Sequence, residues 1–226
     1  MSQTRYFVIM IISGLFSLSR GQVIEGDVSL YTQAEVNSFV GTSITGNLTI
    51  QGPDIVDLTP LSTINSVSGD LSVWWNAALT NLDGLNNITP VTGYLEVSHN
   101  SSLANLDGLS NLTSVGGLFI IENAILTNLD GLSNLTSVGD FLNVSHNSSL
   151  TNLNGLGDLT SVGWYLSVGD NPLLTNLDGL GNIASVGEGL WVYDNPSLIN
   201  LDGLSNLTSV GGYLVIESNS SLPNLD

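Results

Sequence analysis

Both histidines of the protein fall into one regularly spaced set of ionisable residues. The set recurs at intervals of 23 or 24 residues and consists of His99, Glu122, His146, Asp170 and Asp194. Imidazole and carboxylate groups in one row could hold a divalent cation, with Ca²⁺ as the candidate ion. Asp170 and Asp194 would have about the separation that paired carboxylates use in glycoside hydrolysis. The same positions precede a predicted bend, where polar residues are favoured in any case, so structural, metal-binding and catalytic interpretations all stand.

A second set of residues suited to binding follows the predicted strands and is mainly aromatic. Its members are predicted to bind a ligand from the outward strand face, and they are Trp74, Trp75, Glu96, Phe119, Trp191 and Tyr193. Aromatic rings on an outward sheet face reduce solubility, but they suit stacking on sugar rings or anchoring a partner protein. The aromatic residues at strand entries are explained equally well by packing across those entries, and they are Tyr94, Phe141, Tyr165 and Tyr213.

One repeating sequence positions both sets. The core Asn-Leu-Asp/Asn-Gly-Leu recurs every 24 residues, with one step of 23, and it starts at Asn81, Asn105, Asn128, Asn152, Asn176, Asn200 and Asn224. A fixed period in this range is typical of a solenoid. Within each repeat Leu-x-Val/Ile alternates like a half-buried strand, as in Leu95-Glu96-Val97. The sequence therefore predicts a mainly β fold, a parallel β-solenoid of about 24-residue leucine-rich repeats.

Two further columns of the repeat are polar. An Asn follows each strand, and we expect its buried amide to bond the backbone of neighbouring coils; these residues are Asn76, Asn100, Asn123, Asn147, Asn171, Asn195 and Asn219. An acidic column coincides with a predicted Asp-Gly turn, at Asp83, Asp107, Asp130, Asn154, Asp178 and Asp202. Stacked carboxylates without a base repel each other, so either turn bonding outweighs the repulsion or Ca²⁺ screens it.

The ends of the chain differ from the repeats. Residues 1–22 combine Arg5, an apolar run and a region of small residues, which predicts a secretory signal peptide and a secreted or cell-surface protein. Residues 23–47 are predicted to form an N-terminal cap with a short helix over 33–39, because Thr32-Gln33-Ala34-Glu35 has capping-box form. Residues 48–226 are predicted to form the solenoid, with an incomplete last repeat whose open end could pair with another copy.

Charge excludes several classes of partner. The formal net charge is −18, and the two basic residues, Arg5 and Arg20, both lie in the predicted signal peptide. A surface without cations cannot neutralise phosphates, which argues against nucleic acid, nucleotides and anionic lipid. The predicted signal is too short for a confident membrane span and no later segment offers one, so we expect no membrane insertion. Cysteine is absent, so stability must come from repeat stacking.

The full repeat resembles a known family. Leu-Thr-x-Val-Gly-Gly-x-Leu-x-Ile-x-x-Asn-x-x-Leu-x-Asn-Leu-x-Gly-Leu is similar to the repeats of receptor L domains, which occur in insulin-receptor-type ectodomains, fungal cell-wall proteins and bacterial surface proteins. The resemblance extends from about residue 28 to the C-terminus. It implies a right-handed β-solenoid that acts as a binding module. The chain departs from the receptor version in lacking cysteines and a transmembrane segment.

We therefore expect a non-catalytic module that binds an extracellular protein or carbohydrate through its aromatic strand face. An adhesive or structural spacer is one alternative. An ice-binding solenoid is another, because Thr113, Thr136, Thr160 and Thr208 form a partial ladder. A polysaccharide-degrading β-helix enzyme is disfavoured, because no Lys or Arg accompanies the acidic groups. Glycosylation sequons occur at Asn47, Asn87, Asn100, Asn111, Asn134, Asn143, Asn147, Asn206 and Asn219.

Overall fold

The computed structural model of the protein describes residues 21–89 and 91–223. The chain winds into successive coils, and each regular coil contains a long strand, a turn and a short strand. All strand pairs are parallel, and the long strands build one nine-stranded sheet. The mainly β, parallel solenoid expected from the repeat is confirmed.

The strands are numbered in chain order. They are β1 Val23–Ile24, β2 Val28–Leu30, β3 Ser43–Ile44, β4 Leu48–Ile50, β5 Ser66–Val67, β6 Leu71–Trp74, β7 Tyr94–Ser98, β8 Ser114–Val115, β9 Gly117–Ile121, β10 Ser137–Val138, β11 Leu142–Ser145, β12 Ser161–Val162, β13 Tyr165–Gly169, β14 Ser185–Val186, β15 Gly189–Tyr193, β16 Ser209–Val210 and β17 Leu214–Glu217. The long sheet has the order β17-β15-β13-β11-β9-β7-β6-β4-β2, and the short strands form a three-stranded sheet, β1-β3-β5, and a five-stranded sheet, β16-β14-β12-β10-β8.

The strands pair in register, so that equivalent positions of successive repeats lie side by side. Leu95 pairs with Leu71 on one side and Leu118 on the other, and this in-register pairing continues along the long sheet. Positions 23 or 24 residues apart therefore become neighbours on one face. Inward leucines and valines of the strands join the leucines of the turns in one continuous hydrophobic core.

Six of the described coils each contain a single 3₁₀ turn, and the coil of Asp83 and Gly84 has an irregular turn instead. These turns span Thr59–Leu61, Asp107–Leu109, Asp130–Leu132, Asn154–Leu156, Asp178–Leu180 and Asp202–Leu204. The side chain that closes each of the last five turns is the Asn two residues earlier: the backbone N–H of Asp107 donates to Oδ1 of Asn105 at 3.1 Å. In the first turn Asp57 takes this place and accepts from the N–H of Thr59 at 2.8 Å. The predicted turn bonding is therefore present, with the Asn two residues earlier rather than the Asp as the acceptor, and Ca²⁺ screening of the Asp column stays a prediction.

The glycine of the Asp-Gly pair is needed for close contact between coils. A Cβ atom on Gly108 would lie 1.9 Å from the carbonyl oxygen of Leu82, and on Gly179 it would lie 1.8 Å from that of Leu153. Atoms cannot approach that closely, so a side chain here would push the coils apart. Gly84 alone in this column of the described coils has a positive φ, 111°.

The asparagine column forms the predicted buried ladder. Each side chain bonds the coil before it: Nδ2 of Asn100 donates to the carbonyl of Val73 at 2.8 Å, and Oδ1 accepts from the backbone N–H of Asn76 at 3.1 Å. The same bonds recur to Asn219, and every member is at most 8% exposed. The ladder thereby satisfies buried backbone groups at each bend.

The predicted capping helix is present as α1, Gln33–Ser38, and Phe39 is its C-cap. The Thr32 side chain accepts from the backbone of Glu35, and the Glu35 side chain accepts from the backbone of Thr32, as in a capping box. Val36 is fully buried, and the Gln33 side chain bonds the backbone of the next coil. Strands β1 to β3 already pair within the sheets, so the boundary of the cap at residue 47 stays a prediction.

The terminal predictions fall largely outside the described part of the chain. Residues 1–20 of the predicted signal peptide and residues 224–226 of the last repeat are not described. Over residues 21–89 and 91–223, no helix is long and apolar enough to cross a membrane.

Candidate functional site

Six aromatic rings form a continuous cluster on the outer face of the long sheet. We call this cluster the aromatic strip; it consists of Tyr94, Phe119, Phe141, Trp164, Tyr165 and Trp191. Its rings span the coils of β7 to β15. The in-register pairing explains their approach, because neighbouring coils in a parallel sheet lie about 4.8 Å apart.

The ring-to-ring distances are those of interacting aromatic pairs. The Tyr94 and Phe119 centroids are 5.7 Å apart with an edge contact, and Phe119 to Phe141 is 6.2 Å. Phe141 lies 4.9 Å from Trp164 and 5.5 Å from Tyr165, and Tyr165 lies 5.0 Å from Trp191. Contacts of 4.5–7 Å are favourable beyond the burial of area, so the rings hold each other in place.

Two glycines make room for the rings. A Cβ atom on Gly117 would lie 2.7 Å from Cδ1 of Tyr94, and one on Gly189 would lie 2.6 Å from Cη2 of Trp191 and 3.0 Å from Cδ1 of Tyr165. These glycines occupy strand-entry positions where Phe141 or Tyr165 stands in other coils. The alternation of ring and glycine therefore lets large side chains lie down across neighbouring coils.

The aromatic strip is only partly covered. The exposed fractions are 43% for Trp164 and 38% for Tyr94, while the other four rings are half-buried. Asp140 and Glu188 flank Trp164 on the adjacent coils, and the hydroxyl of Tyr94 lies 3.4 Å from a carboxylate oxygen of Asp140. The strip thus joins an accessible aromatic surface to acidic neighbours.

The structure divides the six residues predicted to bind a ligand. Phe119 and Trp191 lie in the aromatic strip, whereas Tyr193 lies over Gly169, whose Cβ would be 2.1 Å from the Tyr193 ring. The remaining three lie near the start of the sheet. Trp75 is 54% exposed and stacks on His99 at 4.1 Å, Glu96 accepts a hydrogen bond from Ser98 at 2.7 Å, and Nε1 of Trp74 is buried without a partner within the described chain.

Four members of the aromatic strip were absent from the predicted set: Tyr94, Phe141, Trp164 and Tyr165. For Tyr94, Phe141 and Tyr165 the sequence also predicts packing across strand entries, and this packing is present between the rings that form the accessible surface. The signal in the sequence is that glycine interrupts a column of aromatic residues at the strand entries. This column is Tyr94, Gly117, Phe141, Tyr165, Gly189 and Tyr213.

The predicted row of ionisable residues lies at the other end of the strands. Every residue in this column has a positive φ, between 50° and 58°, and the members are Trp75, His99, Glu122, His146, Asp170, Asp194 and Ser218. Asp, Asn and His are enriched in this left-handed region, so backbone conformation explains much of the polar character. We call this column the left-handed column.

The left-handed column brings its ionisable groups together only in pairs. Nε2 of His99 lies 3.2 Å from Oε2 of Glu122, and Nε2 of His146 lies 3.5 Å from Oδ2 of Asp170. In the part of the chain with described structure, no group of three or more His, Asp or Glu side chains could hold a metal ion. The prediction of a metal at His99, Glu122, His146, Asp170 and Asp194 gains no support from this geometry, and the Ca²⁺ proposal stays a prediction.

An open, shallow groove runs along this column and includes His146, Asp170 and Asp194. A catalytic site needs an enclosing pocket around its reacting groups, and this groove is open to solvent. Asp170 and Asp194 both line this groove, and the glycosidase-like pairing of these two residues stays an untested interpretation.

Several sequons serve the fold. Asn100, Asn147 and Asn219 belong to the buried ladder, and their Nδ2 atoms donate to backbone carbonyls of the preceding coil. A glycan on those nitrogens is incompatible with the fold. Four further sequon residues are exposed, but their Nδ2 atoms also donate to backbone carbonyls of the preceding coil; they are Asn87, Asn111, Asn134 and Asn206.

The threonine ladder also has a structural explanation. The Oγ1 atoms of Thr136, Thr160 and Thr208 donate to backbone carbonyls of the preceding coil at 3.1, 3.4 and 2.9 Å. These hydroxyls therefore contribute to coil stacking, which accounts for the repeat without an ice-binding role.

The first half of the chain is similar to a known protein family. Residues 22–130 match the family profile described as Receptor L domain. No curated protein matches the chain. Receptor L domains are non-catalytic, binding-type domains that occur in extracellular and cell-surface receptors. The resemblance indicated by the repeat motif is therefore confirmed: over residues 22–130 the chain is similar to the receptor L domain family of receptor-type binding modules.

Proposed function

We propose that this protein is a secreted or cell-surface binding module that recognises an extracellular protein or a glycan through the aromatic strip and performs no catalysis. The observation that carries the proposal is the continuity of six rings on one outer sheet face, with Trp164 and Tyr94 accessible. Large rigid aromatics lose little conformational entropy on binding, which is why they dominate the energetics of many interfaces.

The surrounding structure supports a rigid platform. The rings stand on a parallel sheet whose strands are buried on their inner face, and the asparagine ladder fixes the bends at the opposite ends of the same strands. A preorganised surface avoids the cost of ordering side chains when the ligand binds. The receptor L domain resemblance supports a binding role of this kind.

The proposal is tested by screening the purified protein on a glycan array and on a panel of extracellular proteins, with Ca²⁺ and with chelator. The screen is repeated with the Trp164→Ala/Trp191→Ala double variant. Loss of two interface aromatics should weaken a genuine ligand at least about tenfold.

Tyr31→Ala is the control, because Tyr31 is also an exposed aromatic residue beside the long sheet but belongs neither to the aromatic strip nor to the residues predicted to bind a ligand. Thermal unfolding verifies that each variant is folded. Ligands that bind the double variant as tightly as the unmodified protein would refute the role of the strip, and loss of binding in chelator would instead support the Ca²⁺ prediction.

A further inference from the structure

We infer that the aromatic strip takes a cationic segment of a partner protein, with an Arg or Lys side chain over the Trp164 ring, beside the coils that carry Asp140 and Glu188. The inference rests on the proposed function and names the chemistry of the partner. Three features carry it: the column that holds Trp164, the charge of the chain, and the packing of the neighbouring rings.

Trp164 stands between two acidic residues in a column that the backbone fixes. The backbone N–H of Trp164 donates to the carbonyl of Asp140 at 3.0 Å, and the N–H of Glu188 donates to the carbonyl of Trp164 at 2.8 Å. The three residues therefore lie on consecutive coils, about 4.8 Å apart. Trp164 is 43% exposed, Asp140 is half-buried and Glu188 is exposed.

This arrangement has the chemistry of a cation site. The face of an indole ring carries negative potential and attracts an ammonium or guanidinium group within about 6 Å of its centroid. The Asp140 carboxylate lies 3.4 Å from the Tyr94 hydroxyl, and a carboxylate oxygen of Glu188 lies beside Gly212. The two acids therefore add to the attraction through the negative potential around the ring rather than by direct contact with its face. The guanidinium of Arg also stacks flat on aromatic rings, so a row of rings suits it particularly well.

The protein cannot fill the site from its own solenoid. Its two basic residues are Arg5 and Arg20, and no Lys or Arg follows Arg20. Many exposed aromatic faces are covered by a neighbouring Arg or Lys of the same chain, and here such a neighbour is missing from the whole solenoid sequence. A cation bound at Trp164 must therefore come from outside the solenoid, and we assign it to a partner protein.

The charge of the whole molecule favours the same partner. With a formal net charge of −18, the protein attracts cationic molecules over long range and repels anionic ones. A neutral glycan could stack on the rings but would gain nothing from this field. An anionic glycan would be repelled by Asp140 and Glu188.

The neighbouring rings hold Trp164 in position for contact. Its centroid lies 4.9 Å from that of Phe141 and 5.2 Å from that of Tyr165, and the Tyr165 ring is nearly parallel to it, at 24°. A side chain packed against two neighbouring rings has few accessible rotamers. Binding therefore loses little entropy at the indole.

The test uses two synthetic ten-residue peptides and the full chain at physiological salt. One peptide alternates Arg with Ser, and the other replaces each Arg by citrulline, which has nearly the same shape but no charge. Binding is followed by tryptophan fluorescence and by calorimetry. The Arg peptide should bind, and the citrulline peptide should bind at least about tenfold more weakly.

Three variants separate local recognition from bulk attraction. Trp164→Ala and Asp140→Asn/Glu188→Gln should each weaken the Arg peptide about three- to tenfold. The matched control is Asp178→Asn/Asp202→Asn, which removes the same two charges from exposed positions on the 3₁₀ turns. It should change binding less than about twofold, because charges beyond about 8 Å are screened at physiological salt.

The inference is supported only if the Arg peptide binds and its binding depends on Trp164 and on the Asp140 and Glu188 charges. Equal losses in the two charge pairs, equal binding of the two peptides, or no binding of the Arg peptide would overturn the inference. If a glycan or another ligand from the array depends on Trp164 while the Arg peptide does not, the proposed function stands and the cationic partner fails. If no ligand or peptide depends on Trp164, both fail together.

Discussion

The asparagine ladder and the aromatic strip are columns aligned by the same coil repeat, but they obey different rules. The ladder occupies every coil from Asn76 to Asn219, and its side chains are paired with backbone groups. The strip skips positions at Gly117 and Gly189, and its rings contact mainly each other. Strict repetition here marks residues that the fold requires, and departure from repetition marks a surface that the fold merely supports.

The largest expected effect comes from breaking the ladder. Asn147→Ala removes the acceptor for the backbone N–H of Asn123 and the donor to the carbonyl of Ile120, at 3.1 and 2.8 Å. The N–H of Asn123 would be left buried and unpaired, at about 1–3 kcal/mol, and the Ile120 carbonyl would lose one of its bonds, at about 0.5–1.5 kcal/mol, so the free energy of unfolding should fall by about 1.5–4.5 kcal/mol. Urea denaturation followed by circular dichroism measures the change.

Asn143→Ala is the control for that variant, because it makes the same substitution in the same coil. Asn143 lies on the outer face, and its Oδ1 is buried without a hydrogen-bond partner in the described structure. Its removal should change the unfolding free energy by less than about 1 kcal/mol. Similar losses in the two variants would contradict the special role of the ladder.

The next effect concerns the glycines that allow the coils to approach. Gly179→Ala places a Cβ atom 1.8 Å from the carbonyl of Leu153, so the backbone must move and the unfolding free energy should fall by about 3 kcal/mol. In Gly181→Ala the nearest atom is 3.1 Å away, and other coils carry Ser110, Ser133 or Ser205 at this position. That control should be within about 0.5 kcal/mol of the unmodified protein in the same denaturation experiment.

These columns show which parts of the structure the sequence could reveal. The period, the strands, the buried ladder and the capping helix follow from spacing and residue type, because in-register stacking turns a sequence interval into a contact. The reason why glycine is needed in the Asp-Gly pair cannot be read from the sequence. Turn chemistry explains that glycine as well as coil contact does, and only coordinates separate the two.

The aromatic strip was predictable only in part for a related reason. Spacing identifies the outward positions, but contact between rings depends on the space beside them, which Gly117 and Gly189 supply. The polar left-handed column was visible as a pattern, whereas its positive φ was not. Residue types alone therefore suggested a metal row where the backbone conformation gives a simpler cause.

A smaller effect should follow from disturbing the strip without removing a ring. In Gly189→Ala the new Cβ would lie 2.6 Å from Cη2 of Trp191, so this ring must move away from Tyr165. Because an aromatic pair is worth about 0.5–1.5 kcal/mol beyond burial, affinity for a strip ligand should fall about two- to tenfold. Gly157→Ala, on a 3₁₀ turn, is the control, and unchanged affinity in Gly189→Ala would show that the strip need not be continuous.

The smallest effect should come from the charge of the left-handed column. Asp170→Asn removes the pair with His146, whose side chain is 51% exposed, but keeps a residue type that tolerates a φ of 54°. Because such surface pairs contribute little, the unfolding free energy should change by less than about 0.5 kcal/mol. Asp170→Val also removes the charge but places a β-branched residue at positive φ, which should lower the unfolding free energy by about 1–2 kcal/mol. Equal losses in the two variants would mean that charge, rather than backbone conformation, selects the residues of this column.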